Sequence, residues 1–129
     1  MAIRIVRLGT PRLPGEGLRL GTVRRPPRGI AKARWAEIDF FDVWLPALAP
    51  SEELLSWAHH EALSEARWTR FAQRFRKEMT AVDSRQLLAL LAALSRRSDF
   101  SVGCYCADES RCHRTLLREL FEAAGAGIA

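Results

Sequence analysis

The sequence predicts a single α/β domain over residues 1–129. The expected architecture is three layers: a small, mainly parallel sheet with helices on both faces. Three observations point there. A β-branched run, Ile3-Arg-Ile-Val6, opens the chain; helical periodicity dominates from Pro50 onward; and an alternating segment at 100–106 runs straight into a last amphipathic stretch. Strands early, a helical middle and a strand feeding a helix make up the pattern of a compact α/β domain.

Taken in order, residues 2–8 read as a first strand and Leu18 to Val23 as a second, separated by the turn-rich Gly9 to Gly17. Arg24-Arg25-Pro26-Pro27-Arg28-Gly29 has no room for regular structure, with two prolines and a glycine. Residues 37–45 read as a strand leading into a turn at Pro46. Ser51 is a helix N-cap, with Glu52 and Glu53 suited to the positive end of the dipole, and that helix ends near His59. Ser64 caps the next, whose Trp68, Phe71, Ala72, Phe75 and Met79 recur at steps of three and four as a buried stripe. Asp83 and Gln86 resemble a capping box opening a third helix. Its leucines (Leu87, Leu88, Leu90, Leu91, Leu94) spread round the axis, so burial on most sides is expected. Phe100, Val102, Cys104 and Cys106 alternate along a last strand. A final helix runs from about Arg111 to Ala124, with Leu117, Leu120, Phe121 and Ala124 inward, and ends at Gly125 and Gly127.

Composition narrows the function classes. The chain is long enough for one real core, with 48% hydrophobic and 27% charged residues. No apolar run approaches the ~20 residues of a membrane span, and charges interrupt the N-terminal apolar stretch, unlike a signal peptide. Three cysteines at CxC and x5 spacing fit a secreted disulfide framework poorly. A cytoplasmic protein with reduced thiols is expected. The net charge of +5 is concentrated: residues 1–34 hold nine Arg or Lys and one acid, and residues 35–129 hold eleven basic and fourteen acidic residues. Such a front third suits phosphates, nucleotides or nucleic acid, or is simply a solubilising surface.

All three cysteines fall in one nine-residue window, Cys104 to Cys112, followed by His113-Arg114. The window joins a strand end to a helix start, where α/β sheets bind ligands and where free backbone N–H groups favour anions. Arg114 adds a guanidinium fork. Cys112, beside His113 and Arg114 in the first helical turn, is expected to have a lowered pKa, which makes Cys112 and His113 the candidate catalytic pair. Four readings stand side by side: an anion or nucleotide pocket with a reactive thiol; a zinc site from Cys104, Cys106, Cys112 and His113, right in ligand type but without the second spaced pair of a finger; redox chemistry; and buried thiols that only pack. For redox, Cys104 and Cys106 lie roughly 6.6–6.8 Å apart at Cα if extended, at the upper limit for a disulfide. The C-x5-R spacing of Cys112 and Arg118 is not a phosphatase loop, because His113 to Leu117 is helix interior. Asp108 and Ser110 read as caps. Of the two histidines at the end of the first helix, His59 reads as capping the dipole and His60 as able to reach a pocket.

The chain resembles the family catalogued as domain of unknown function 488, especially its short YeaO-like branch. The resemblance runs from about Gly21 to Gly125. It rests on Arg25-Pro-Pro-Arg28-Gly29 followed by Lys32, on Leu48-Ala-Pro50-Ser51 with Leu54 and Trp57 to His60, on Phe71 with Phe75-Arg-Lys-Glu-Met79, and on Cys106…Cys112-His113-Arg114. It implies a cytosolic bacterial α/β domain. It also suggests one site made of Arg25, Arg28, His60, Cys106, Cys112, His113 and Arg114, and it names no reaction. The expected function is binding, or binding and processing, of a small phosphorylated or otherwise anionic ligand at the strand ends, with no cofactor. The alternatives are a nucleic-acid-associated module using the basic front third and a metal-binding or redox thiol protein.

Overall fold

The computed structural model describes residues 1–106 and 111–129. Its strands are β1 (Ile3–Arg7), β2 (Leu18–Gly21), β3 (Val43–Trp44) and β4 (Phe100–Cys104); its helices are α1 (Glu52–His59), α2 (Glu65–Glu78), α3 (Val82–Leu94) and α4 (His113–Ala123). The four strands form one sheet in the order β1-β4-β2-β3. Every strand pair is parallel, with Ile3 opposite Phe100, Leu20 opposite Val102 and Leu20 opposite Val43. The fold is thus α/β, and β4 runs through the middle of the sheet, buried at every residue. Ile128 adds a parallel bridge to Ile3 at the β1 edge.

Alternation along the strands divides the core in two. Ile3, Leu20, Phe100 and Val102 share one face with Leu54 and Ala58 of α1, Phe71 and Phe75 of α2, Leu88 and Leu91 of α3, and Leu117 and Phe121 of α4. On the opposite face Leu8 and Phe41 pack over Gly103 and Gly21, in a second cluster that takes in Val23, Trp35, Cys104 and Cys112. The cover on that side is the segment around the 3₁₀ turn Lys32–Arg34 and residues Trp35 to Phe41, rather than an α-helix. Glycine makes room for it: a Cβ on Gly21 would lie 2.4 Å from the Phe41 ring. The same face buries an ion pair. Glu16 and Arg19 meet through two bonds of 2.8 and 2.9 Å, Ser101 Oγ donates to Glu16, and Arg19 also donates to the carbonyls of Thr10 and Asp39.

Several elements differ from the sequence expectation. β2 stops at Gly21, and most of 37–45 is turn with only Val43–Trp44 in the sheet. α3 starts at Val82 with Ala81 as its N-cap and no side-chain cap, so Asp83 lies in the first turn, as a dipole partner. Only Ser84, Leu88, Leu91 and Ala92 of α3 are buried, while Leu90 and Leu94 are exposed. Its leucines therefore serve one face plus a solvent side. Ala124 is exposed at the end of α4. The caps Ser51 and Ser64 accept from Leu54 N and Arg67 N, as expected. No helix among the described residues is long and apolar enough to cross a membrane.

Candidate functional site at the strand ends

Beyond the carboxyl ends of β2 and β4 lies a cleft of about 590 Å³. One wall is the Arg24–Arg28 segment, which leaves β2 through Thr22 and Val23. Arg24 fixes that segment by donating to the carbonyls of Pro46, Ala49 and Pro50. The two prolines hold the next turn stiff, so Arg25 and Arg28 project from a pinned loop. The second wall is α1, whose Glu52, Leu55, Ser56 and His59 follow the i, i+3, i+4, i+7 pattern of one helix face. The floor is Cys104, Tyr105 and Cys106 with His113.

The cations differ in their commitments. Arg25 makes a two-bond pair with Glu52 at 2.8 and 2.9 Å, both side chains largely exposed. Arg28 is exposed and has no ion pair or hydrogen bond among the described residues. Arg114 does not face the cleft. It is 4% exposed and donates to the Cys106 carbonyl at 2.6 Å, holding the chain after β4 against α4. Its place in the sequence, one residue past His113, suggests a ligand fork; in the structure it is buried within α4 and bonded to the Cys106 carbonyl.

The three sulfurs converge, all within 4.8 Å of one another. Cys104 Sγ lies 2.8 Å from Cys112 Sγ, and all three cysteines are free. Cys104 and Cys112 are buried, whereas Cys106 is exposed to the cleft. Cys112 is the N-cap of α4, where the Arg114 backbone N–H acts on its thiol and favours the thiolate. Acidity follows the geometry. Cys106 is held well below the usual thiol range, first by Cys104, then by Cys112, which act as S–H donors to it. Cys104, the donor, is pushed up by its bonds to Cys106 and Cys112 and by burial. For Cys112 the bond with Cys104 lowers the pKa, but its bond to Cys106 and burial outweigh this and raise it to about 11. The order is the reverse of the helix-dipole expectation for Cys112: the accessible, acidic thiol is Cys106.

His113 is 6% exposed, and burial lowers its pKa to about 4, against the opposing effect of its bond to Thr22. Its Nε2 lies 2.6 Å from the Thr22 carbonyl, which only accepts, so Nε2 carries the proton. Nδ1 then presents a lone pair toward Cys112 Sγ, 3.7 Å away.

Of the sequence candidates, the structure brings Arg25, Arg28, Cys106 and His113 to the cleft and puts Cys112 beneath it. His60 lines a separate shallow cleft with Trp57 and Arg67. His59 takes the place facing the cysteines, a position legible from its seven-residue step from Glu52 on α1. Tyr105 was missed because its alternation with Cys104 and Cys106 placed it on the opposite strand face. β4 ends at Cys104, so the strand rule no longer governs Tyr105. Asp108 and Ser110, read as caps, lie outside the described residues.

A family model, DUF488-N3a, described as the active DUF488-N3 subclade, matches residues 3–125. No curated protein and no solved structure matches the chain.

Proposed function

The chain belongs to the DUF488-N3a family, and from that premise and the cleft's geometry we propose that it binds a small anionic ligand at the strand ends. The observation that carries this reading is Arg28. It stands on a stiff Pro-Pro turn at the mouth of a cleft, without a carboxylate of its own, while Arg24 and Arg25 beside it are already engaged. A charged group presented this way is ready for an anion. Pro26, Pro27, Leu55 and Tyr105 offer apolar surface to the body of the ligand, the mixed lining expected of a small-molecule site. A phosphorylated or carboxylated small molecule fits both features. The thiols at the floor are where processing of that ligand would take place.

The nucleic-acid reading has less to draw on. Within residues 1–34, Arg12, Arg19, Arg25 and Arg34 each pair with a carboxylate, and Arg24 is spent on backbone carbonyls. The charge concentrated in the sequence is thus partly answered by Asp39, Asp42, Glu37 and Glu52 in space.

Titration calorimetry with inorganic phosphate, pyrophosphate and nucleoside monophosphates tests the proposal. Saturable one-site binding that Arg28→Ala weakens is the expected result. Binding that is absent across the panel, or indifferent to Arg28, overturns it. An affinity found only for oligonucleotides and falling steeply with salt would favour the nucleic-acid reading instead.

A further inference from the structure

We infer that Cys104, Cys106 and Cys112 form a thiophilic metal site, holding Zn(II) by three thiolates with its fourth position open to the cleft. The inference does not rest on the anion reading, since the sulfurs converge whatever the cleft binds.

Three independent elements deliver the sulfurs: the last residue of β4, the chain two residues beyond it, and the N-cap of α4. Their mutual separation of at most 4.8 Å is within reach of one ion. Bonds of about 2.3 Å on tetrahedral positions put sulfurs about 3.8 Å apart. Cys104 and Cys112, now 2.8 Å apart, then need to part by about 1 Å. Packing of small hydrophobes accounts for the burial of Cys104 and Cys112 in the second core cluster. It does not account for the exposed Cys106 gathered beside them.

Charge favours the same assignment. On binding, the thiols release their protons, and three thiolates with a divalent ion leave one net negative charge. That charge lies at the positive end of the α4 dipole and beside Arg114, which holds the Cys106 carbonyl. Thiolates select Zn(II) and Cu(I) among common ions; three of them saturate trigonal Cu(I), whereas Zn(II) keeps a fourth position. Cys106 lines the cleft, so that position faces the cleft, the arrangement of zinc centres that act on a ligand rather than only hold a fold.

The full-length protein, reduced and stripped with a chelator, is titrated with Co(II) and then with Zn(II). The expected result is one equivalent of Co(II), with a sulfur-to-cobalt charge-transfer band and the visible bands of tetrahedral cobalt, both displaced by Zn(II). Cys106→Ser, at an exposed position that leaves the fold intact by circular dichroism, weakens Co(II) by about tenfold or more. Arg28→Ala leaves it unchanged, so failure of the anion reading and failure of the metal site remain distinguishable. Absence of the charge-transfer band, or equal affinity in Cys106→Ser, overturns the site. Azide is expected to shift the visible bands; unaltered bands would mean that a protein group such as His113 Nδ1 closes the fourth position, overturning the open-site assignment.

Discussion

Arg114 donates to the carbonyl of Cys106 at 2.6 Å from a position 4% exposed, a bond that ties the floor of the cleft to α4. Arg28, at the opposite wall, has the reverse status: exposed and without an ion pair among the described residues. The two therefore separate in experiment. Arg114→Ala loses a charged hydrogen bond, which costs about 1.5–3 kcal/mol, and leaves the Cys106 carbonyl to find another partner. Arg28→Ala stays within about 0.5 kcal/mol of the parent, as for an ordinary surface change. Urea melts of both variants check this. Equal stabilities would mean that Arg114 is not a brace.

What the sequence made legible is uneven, for physical reasons. Helix caps and stripes are local: Ser51, Ser64 and the Phe71–Phe75–Met79 stripe each follow from residues within a turn or two of one another. The convergence of the three cysteines was visible in part because the window is short. The roles within it were not. Helix-dipole reasoning favoured Cys112 as the reactive thiol, but its burial depends on Leu8, Val23 and Phe41, which lie far away in sequence. Leu90 and Leu94 misled in the opposite sense: hydrophobicity alone cannot tell a helix face buried on a sheet from one left in solvent. The charge of the front third is partly offset in space, because the carboxylates that answer Arg12, Arg25 and Arg34 come from residues 37–52.

The buried pair of Glu16 and Arg19 makes stability depend on pH. Burial alone would raise the Glu16 pKa, but the bonds from Arg19, Ser101 and the Leu13 N–H outweigh it and hold it at about 2, from an ordinary 4.5. A depressed carboxylate stabilises the fold above its unfolded pKa and loses that contribution as pH falls through the folded one. The stabilisation, about 3 kcal/mol by this shift, is therefore fully present above pH 4.5 and disappears toward pH 2. Glu16→Gln leaves Arg19 buried without its counter-charge, and a loss of about 3–5 kcal/mol at neutral pH is expected. Chemical denaturation of parent and variant between pH 2 and 7 measures both; a flat difference across the acid range would exclude the linkage.

Gly21 ends β2 where the Phe41 ring covers the sheet. A Cβ there meets three ring carbons at 2.4 to 2.8 Å, so Gly21→Ala overpacks the second face and costs about 1–3 kcal/mol. The obstacle is a side chain, so a smaller one relieves it. Gly21→Ala with Phe41→Leu is expected to cost less than the sum of the two single changes, a coupling that a double-mutant cycle reads directly. Additive costs would place the strain in the backbone at Gly21 rather than against Phe41.

Accessibility orders the thiols. Cys106 is exposed, while Cys104 and Cys112 are each 2% exposed, closed in by Leu8, Val23, Trp35 and Phe41. Iodoacetamide applied to the metal-free, reduced protein should label Cys106 first, with Cys104 and Cys112 following only as the domain opens. In denaturant all three should react at similar rates, since the ordering belongs to the fold. Zn(II) added beforehand should slow labelling of Cys106, the one cysteine whose reactivity the fold leaves to the solvent. Because Arg114 anchors the Cys106 carbonyl beside the buried pair, Arg114→Ala should raise labelling of Cys104 and Cys112 without changing that of Cys106 by much. Peptide mapping by mass spectrometry over a time course resolves the three sites. Labelling of Cys112 ahead of Cys106 in the native protein would reverse the assignment and return the helix start to the role its sequence suggested.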